Sequence, residues 1–331
     1  MVQDSGAEAT LVDKAKQFFK PLPQDMATAE FATLAPRVEL GKKLFFDPRL
    51  SADGTVSCAT CHRPALCGTD ALPKSIGVEH RMSARNAPTV LNAALQFKAH
   101  WIGERANVEE QAMKSLLGQA SFGNPDNAAV IRKIKALPGY ADEFAQAFPN
   151  EKEPVQPENW GRAIGPYERT LVTSSPFDAY LKGDAKALTS QAQAGLKLFI
   201  DVGCVSCHNG VAVGGAAFRK FGVVGDYWKE TASQPIDEGR YKETQDPADK
   251  YVFKVPSLRN VSMTPPYFHD GSVATLPQAV RIMAKVQLGE TLTEGEVNDL
   301  VAFLQSLTGP LPKKFATEPV LAPQAFGATQ P

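Results

Sequence analysis

Cys58-Ala-Thr-Cys61-His62 and Cys204-Val-Ser-Cys207-His208 are two copies of one pattern in a chain of 331 residues. Cys-x-x-Cys-His is the attachment signal of c-type haem. The two thiols add across the two vinyl groups of the porphyrin edge. The adjacent His then lies under the ring with a nitrogen facing the iron. Cys58, Cys61, Cys204 and Cys207 are therefore the expected covalent anchors of two haems, and His62 and His208 the expected proximal ligands. Two Cys-x-x-Cys pairs can also build a zinc site. These pairs stand about 140 residues apart, however, and zinc gives no reason for a His after each. A thioredoxin-like dithiol would need a βαβ surrounding, which neither copy has.

Outward from the motifs, the chain repeats itself. Gly41-Lys-Lys-Leu-Phe-Phe-Asp47 leads into the first copy and Gly195-Leu-Lys-Leu-Phe-Ile-Asp201 into the second. One helix-then-motif plan used twice implies duplication of a small α-helical module. Helical spacing is read over 8–20, 37–47, 108–117, 127–148, 158–173 and 191–200. Residues 63–90, 118–126 and 209–250 read as loops, and Pro154 and Pro157 suggest a boundary. Ser190 with Gln193, Thr275 with Gln278 and Thr293 with Glu296 have capping-box spacing. Val297, Leu300, Val301, Leu304 and Leu307 line one face of the last helix. Strand-like alternation is scarce.

Lys plus Arg is 35 and Asp plus Glu is 36, a net charge of -1. That balance argues against a nucleic-acid partner. No stretch approaches the ~20 apolar residues that span a bilayer. Five cysteines are too few for a disulfide scaffold. Residues Met1 to Thr10 have neither a basic nor an apolar leader region, so no signal peptide is read there. Haem attachment of this kind takes place outside the bacterial cytoplasm. The expectation is a mature periplasmic chain whose leader has been removed.

Each haem iron has a second axial position. The residue types that suit it are His80, His100 and His269, and Met82, Met113, Met263 and Met283. Met283 lies on an amphipathic segment with Val280, Ile282 and Val286, so core packing also accounts for it.

Five stretches carry a family resemblance: LGKKLFFDPRLSADGTVSCATCH (40–62), RNAPTVLN (85–92), GLKLFIDVGCVSCH (195–208), VPSLRNVSMTPPYFHDG (255–271) and IMAKVQLGETLTEGEVNDLVAFLQSLTG (282–309). In these, spanning nearly the whole chain in order, the sequence resembles the bacterial dihaem cytochrome c peroxidases and the wider family that includes the MauG-type enzymes. The resemblance implies an all-α fold of two cytochrome c-like domains with long loops, each domain carrying one covalent c-type haem. The domains are expected at 1–165 and 166–331, with 1–25 packing on the other domain. The His62 haem would be the low-potential, peroxidatic one. The His208 haem would be the high-potential one that accepts electrons, with Met283 as its second ligand; thioether ligation raises the potential of a haem iron. Trp101 matches the family's Trp between the haems, a role compatible with a plain buried aromatic. Asn86, Thr264 and Pro266 match an interdomain Ca²⁺ site, the last two through backbone carbonyls, and oxygen ligands suit that hard cation. Asn86 also reads as a turn residue.

The sequence departs from the family on the distal side of the first haem. The family places a His after Ser-Ile-Gly, where it caps the resting iron. Here Ser75-Ile76-Gly77 runs into Val78, then Glu79 and His80. The loop 118–126 lacks the family's catalytic Glu, and its one acid is Asp126. Cys67 stands where the family usually has Gly. Glu79 and His80 are the candidate replacements for acid–base work, with surface-loop residues as the plain alternative. The first haem is expected open at rest, with His80 as the alternative cap.

The functional expectation is a periplasmic peroxidase that reduces H₂O₂ to water with electrons from a small cytochrome c or cupredoxin. The alternatives are a MauG-like enzyme that oxidises a protein side chain, or a non-catalytic dihaem electron carrier or redox sensor. Met283 speaks against the MauG type, which has Tyr there. The missing Glu supports the carrier. A homodimer is an open expectation.

Overall fold

In the computed structural model, which describes residues 10–323, the duplicated heptapeptides form equivalent helices and each crosses a partner at its glycine. The first half contains α1 (Leu11–Phe18), α2 (Ala35–Phe46), α3 (Cys58–Cys61), α4 (Val108–Ser115), α5 (Asn127–Ala136), α6 (Tyr140–Ala147) and α7 (Pro157–Arg169). The second contains α8 (Pro176–Leu181), α9 (Ser190–Asp201), α10 (Tyr227–Thr231), α11 (Tyr241–Thr244), α12 (Leu276–Met283), α13 (Glu294–Gln305) and α14 (Lys313–Ala316). Helix α2 packs on α7 and α9 on α13. An added Cβ at Gly41 would fall on the carbonyl oxygen of Ala163, and one at Gly195 on that of Asp299. Only glycine lets these backbones meet so closely. The repeat visible in the sequence is thus a repeated helix crossing.

Two cores result. The first gathers Leu44, Phe45, Leu116, Phe122, Trp160, Ile164 and Tyr167. The second gathers Phe177, Leu196, Phe199, Ile282, Leu300, Phe303 and Leu304. The first and last described helices cross over. Ala15 of α1 and the adjoining Phe19 enter the second core, with Phe19 edge-on to Phe177 at 5.3 Å. Phe315 of α14 enters the first, edge-on to Phe45 at 6.1 Å. Each core also encloses one ion pair. Arg169 reaches Glu109 at 2.6 and 3.0 Å, and Arg259 reaches Asp178 at 2.8 Å. The same acid accepts the Leu22 N–H at 2.7 Å, and Arg169 donates to the Met26 carbonyl at 2.8 Å. The segment after α1 is thereby tied to both cores.

Several details differ from the sequence reading. The helix expected over 127–148 is two, α5 and α6, because Pro138 interrupts it and Gly139 turns with φ 86. Thr189, not Ser190, caps α9, its hydroxyl accepting the Ala192 N–H at 3.1 Å. Thr275 stands at the N-cap of α12 without a side-chain bond, whereas Thr293 and Glu296 form both bonds of a capping box. The loop 209–250 contains β1 (Phe218–Lys220), which pairs antiparallel with β2 (Val252–Lys254), and the short helices α10 and α11. Residues 1–9, over which no leader is read, lie outside the described residues. No described helix is long and apolar enough to cross a membrane.

Candidate haem sites and the seam between them

Helix α3 is the first Cys-x-x-Cys itself, a single turn that brings both thiols to one side. His62 follows as its C-cap, its N–H donating 2.9 Å to the Cys58 carbonyl. The second motif repeats this bond: the His208 N–H donates 2.9 Å to the Cys204 carbonyl. No disulfide joins any of the five cysteines, which leaves both motif pairs available for haem. Burial pushes the Cys58 and Cys61 thiols up, and that of Cys204 up to about 11.

His62 Nδ1 lies 3.0 Å from the carbonyl oxygen of Gly68. A carbonyl only accepts, so Nδ1 carries the proton and Nε2 is the free metal-binding atom. Gly68 has φ +76, and an added Cβ there would come within 2.8 Å of Thr89 Oγ1. The turn that orients His62 therefore needs glycine. Cys67, just before it, is also left-handed at φ 53, the conformation that favours glycine. His208 is held differently. Its Nδ1 is buried with no hydrogen-bond partner among the described residues. An added Cβ at Gly214 would lie 3.2 Å from that nitrogen and would also strike the Pro256 carbonyl. Gly214 keeps open the space where ring and carbonyl meet. Burial lowers the pKa of both imidazoles, that of His208 to about 4. The neutral ring is the form that ligates metal. Paired thiols and neutral imidazoles fit covalent haem in both halves, and in the first the tautomer is also set for Nε2.

Met283 is half-buried at the end of α12, and the chain then widens into a π-helical turn over Ala284–Leu288. Such turns re-aim side chains and gather at functional sites. Trp101 lies in the seam between the halves. Its Nε1 donates 2.9 Å to the Asn86 carbonyl, and the Asn86 N–H donates 2.8 Å to the His269 carbonyl. Trp101 also meets the His269 ring edge-on at 6.3 Å. The structure thus joins Trp101, Asn86 and the loop that carries Thr264 and Pro266. The Asn86 side-chain amide donates 2.9 Å to the Leu72 carbonyl, which turns Oδ1 the other way.

Glu79 and His80 sit in a left-handed turn, at φ 52 and 59, and both are exposed. Glu79 is ion-paired with Arg81, which also bonds Gln119. Val78, by contrast, is 1% exposed and packs over Gly123 in the opposite loop. The residue in the family's capping position therefore points into the loop packing, and its two neighbours face outward.

Two seam residues, Asp237 and Lys254, carry no local sequence signal, and a third, His269, has only the signal of a residue type that could ligate iron. Asp237 receives Arg85, and Lys242 Nζ lies 3.1 Å from it. His269 is 2% exposed, stacked on Phe253 at 4.3 Å, with Nε2 unpartnered. Lys254 is 5% exposed. Their roles depend on neighbours far away in the chain, which spacing does not reveal.

Residues 35–186 match the model of the di-haem cytochrome c peroxidase family, and residues 192–308 match that of cytochrome c. Cytochrome c551 peroxidase of Pseudomonas aeruginosa is 43% identical over 308 residues, which cover 92% of this chain and 88% of that one. The chain belongs to the dihaem cytochrome c peroxidase family. It is an oxidoreductase with two haem-binding cytochrome c-type domains. The methylamine utilization protein MauG of Methylorubrum extorquens is 34% identical, covering 92% of this chain and 89% of its own. A solved structure of a MauG-like protein associated with microbial copper homeostasis aligns with a TM-score of 0.80. It is 29% identical, and the alignment covers 91% of this chain and 97% of that one. The peroxidase and MauG branches therefore share this architecture along almost their whole length.

Proposed function

We propose that the protein is a periplasmic peroxidase that reduces H₂O₂ to water with electrons from a small cytochrome c or cupredoxin. The observation that carries this reading is the matched pair of Cys-x-x-Cys-His turns, in each of which the His N–H donates 2.9 Å to the carbonyl of the first Cys. The domains are taken as 1–165 and 166–331, and a homodimer is part of the proposal. When bound, the two haems supply a peroxide-reducing iron on the His62 side and an electron-accepting iron on the His208 side. In the chain itself, the Gly68 carbonyl orients His62 and Asn86 fixes Trp101. Met283 is the proposed second ligand on the His208 side. Proton transfer to the departing oxygen falls to Glu79 or His80. Asn86 and the carbonyls of Thr264 and Pro266 would hold Ca²⁺ across the seam.

A steady-state assay with H₂O₂ and a reduced small cytochrome or cupredoxin tests the reading. Turnover of the donor supports it, and electron uptake without turnover would sink it in favour of a carrier. The MauG-like alternative has behind it the 34% identity to MauG and the TM-score of 0.80 to a MauG-like structure. Protein side-chain oxidation in place of donor oxidation would establish it.

A further inference from the structure

Lys254 is the seam residue whose chemistry the site described above leaves unused. Its N–H donates 2.7 Å to the Trp101 carbonyl, and its side chain crosses to Oε1 of Gln96. That is its one side-chain hydrogen bond among the described residues. An ammonium has three donors and no acceptor. One neutral amide oxygen leaves its charge uncompensated in a desolvated place. Burial draws its pKa down to about 8, with Glu104 the acid that pulls the other way. Glu104 does not close the gap: its Oε1 lies 2.8 Å from His100 Nδ1, and its Oε2 is buried without a partner. Among the described residues this cation has no anion in hydrogen-bond contact.

The surrounding packing indicates which anion. The chain runs on from Lys254, the last residue of β2, to Pro256, whose carbonyl shares the Gly214 space with His208 Nδ1. Gln96 packs against the neighbouring Gly215, and Gly215 donates 2.8 Å to the Val255 carbonyl. Gln96, Lys254 and the two glycines thus form one wall that ends at the His208 imidazole. A haem carries two propionate carboxylates, and a buried carboxylate needs a cation or several donors. We infer that Lys254 is a haem-binding residue whose ammonium receives a propionate carboxylate at the domain seam, with Gln96 holding the side chain in place. Both haems carry such carboxylates, and the test separates them.

The inference rests on the two-haem reading, so the mass of the denatured holoprotein is measured first. A chain without two haem masses overturns both; two haem masses leave the inference to stand or fall alone. Spectroelectrochemical titration then follows each haem in wild type, Lys254→Met and Lys254→Arg. Removing a buried positive charge beside a propionate favours ferric iron. Lys254→Met is expected to weaken the reduction of one haem about tenfold, about 59 mV lower for a one-electron couple. The haem that shifts owns the carboxylate. Lys254→Arg keeps the charge and is expected to restore most of the midpoint. Unchanged midpoints for both haems in Lys254→Met overturn the inference. Should Lys254→Met not fold, the propionate bending band in the resonance Raman spectrum of Lys254→Arg decides: a shifted band supports it, and an unchanged band overturns it.

Discussion

Arg85 donates through Nε and Nη2 to the two carboxylate oxygens of Asp237, at 2.7 and 3.0 Å. The pair clamps the RNAPTVLN segment to the second half. Lys242 Nζ and the Gly239 N–H add contacts at 3.1 and 3.0 Å, and His269 Nε2 stands 3.9 Å away.

The clamp makes stability depend on acid pH. Burial alone would raise the Asp237 carboxyl, but the Arg85 guanidinium outweighs it and holds the group well below the usual carboxylate range. A depressed folded-state pKa contributes stability above the unfolded value of about 3.9, and that stability is lost as pH falls toward the folded value. Arg85→Ala should cost about 3 kcal/mol at pH 7, since it leaves a largely buried carboxylate short of its main partner. Denaturant titrations should show this cost shrinking below about pH 4. A cost that stays constant with pH would contradict the clamp.

Gly195→Ala and Gly41→Ala should each destabilise their own half. The new methyl would fall on the carbonyl of Asp299 or Ala163, and backbone cannot swing aside as a side chain can. Overpacking of this kind costs about 1–3 kcal/mol or more. Thermal melting followed at each haem should place the larger loss in the half that carries the substitution.

Met283→His should lower the midpoint potential of the His208 haem, because imidazole favours ferric iron more than thioether does. Spectroelectrochemistry reads this directly. An unchanged potential would return Met283 to the packing of α12.

On the first haem, Glu79→Gln or His80→Ala should slow peroxide turnover by about 10²–10⁴, whichever group moves the proton. The all-ferric protein should react with peroxide without prior reduction, because Val78 is a hydrocarbon buried over Gly123. Stopped-flow mixing with H₂O₂ tests this. A resting EPR spectrum of two low-spin haems, one turning high-spin in His80→Ala, would make His80 the cap instead.

Chelation of Ca²⁺ should lower both stability and peroxide turnover, and Asn86→Ala should do the same. Binding to the folded state alone stabilises it by mass action, by about 2.7 kcal/mol at a hundredfold excess over Kd. Melting curves with and without chelator measure the effect. No change in either curve would remove Asn86, Thr264 and Pro266 from a metal role.

By itself the sequence determined the haem count, the duplication, the family and most of the helices. These signals are local: Cys-x-x-Cys-His spans a single turn, and the Gly41 and Gly195 heptapeptides are read in a few adjacent residues. It located the Trp101, Asn86 and 264–266 segments but not the hydrogen bonds that join them. The resemblance implied that the N-terminal segment packs on the other domain; tertiary structure alone decided that Phe315 of α14 crosses to the first core. It also decided that Val78 is buried while Glu79 and His80 face out, and that Lys254 stands nearly unpartnered in the seam. The reason is physical. Burial and charge pairing are set by what a side chain meets after the chain has folded, and Arg85 meets Asp237 across 152 positions of sequence that no short-range periodicity spans.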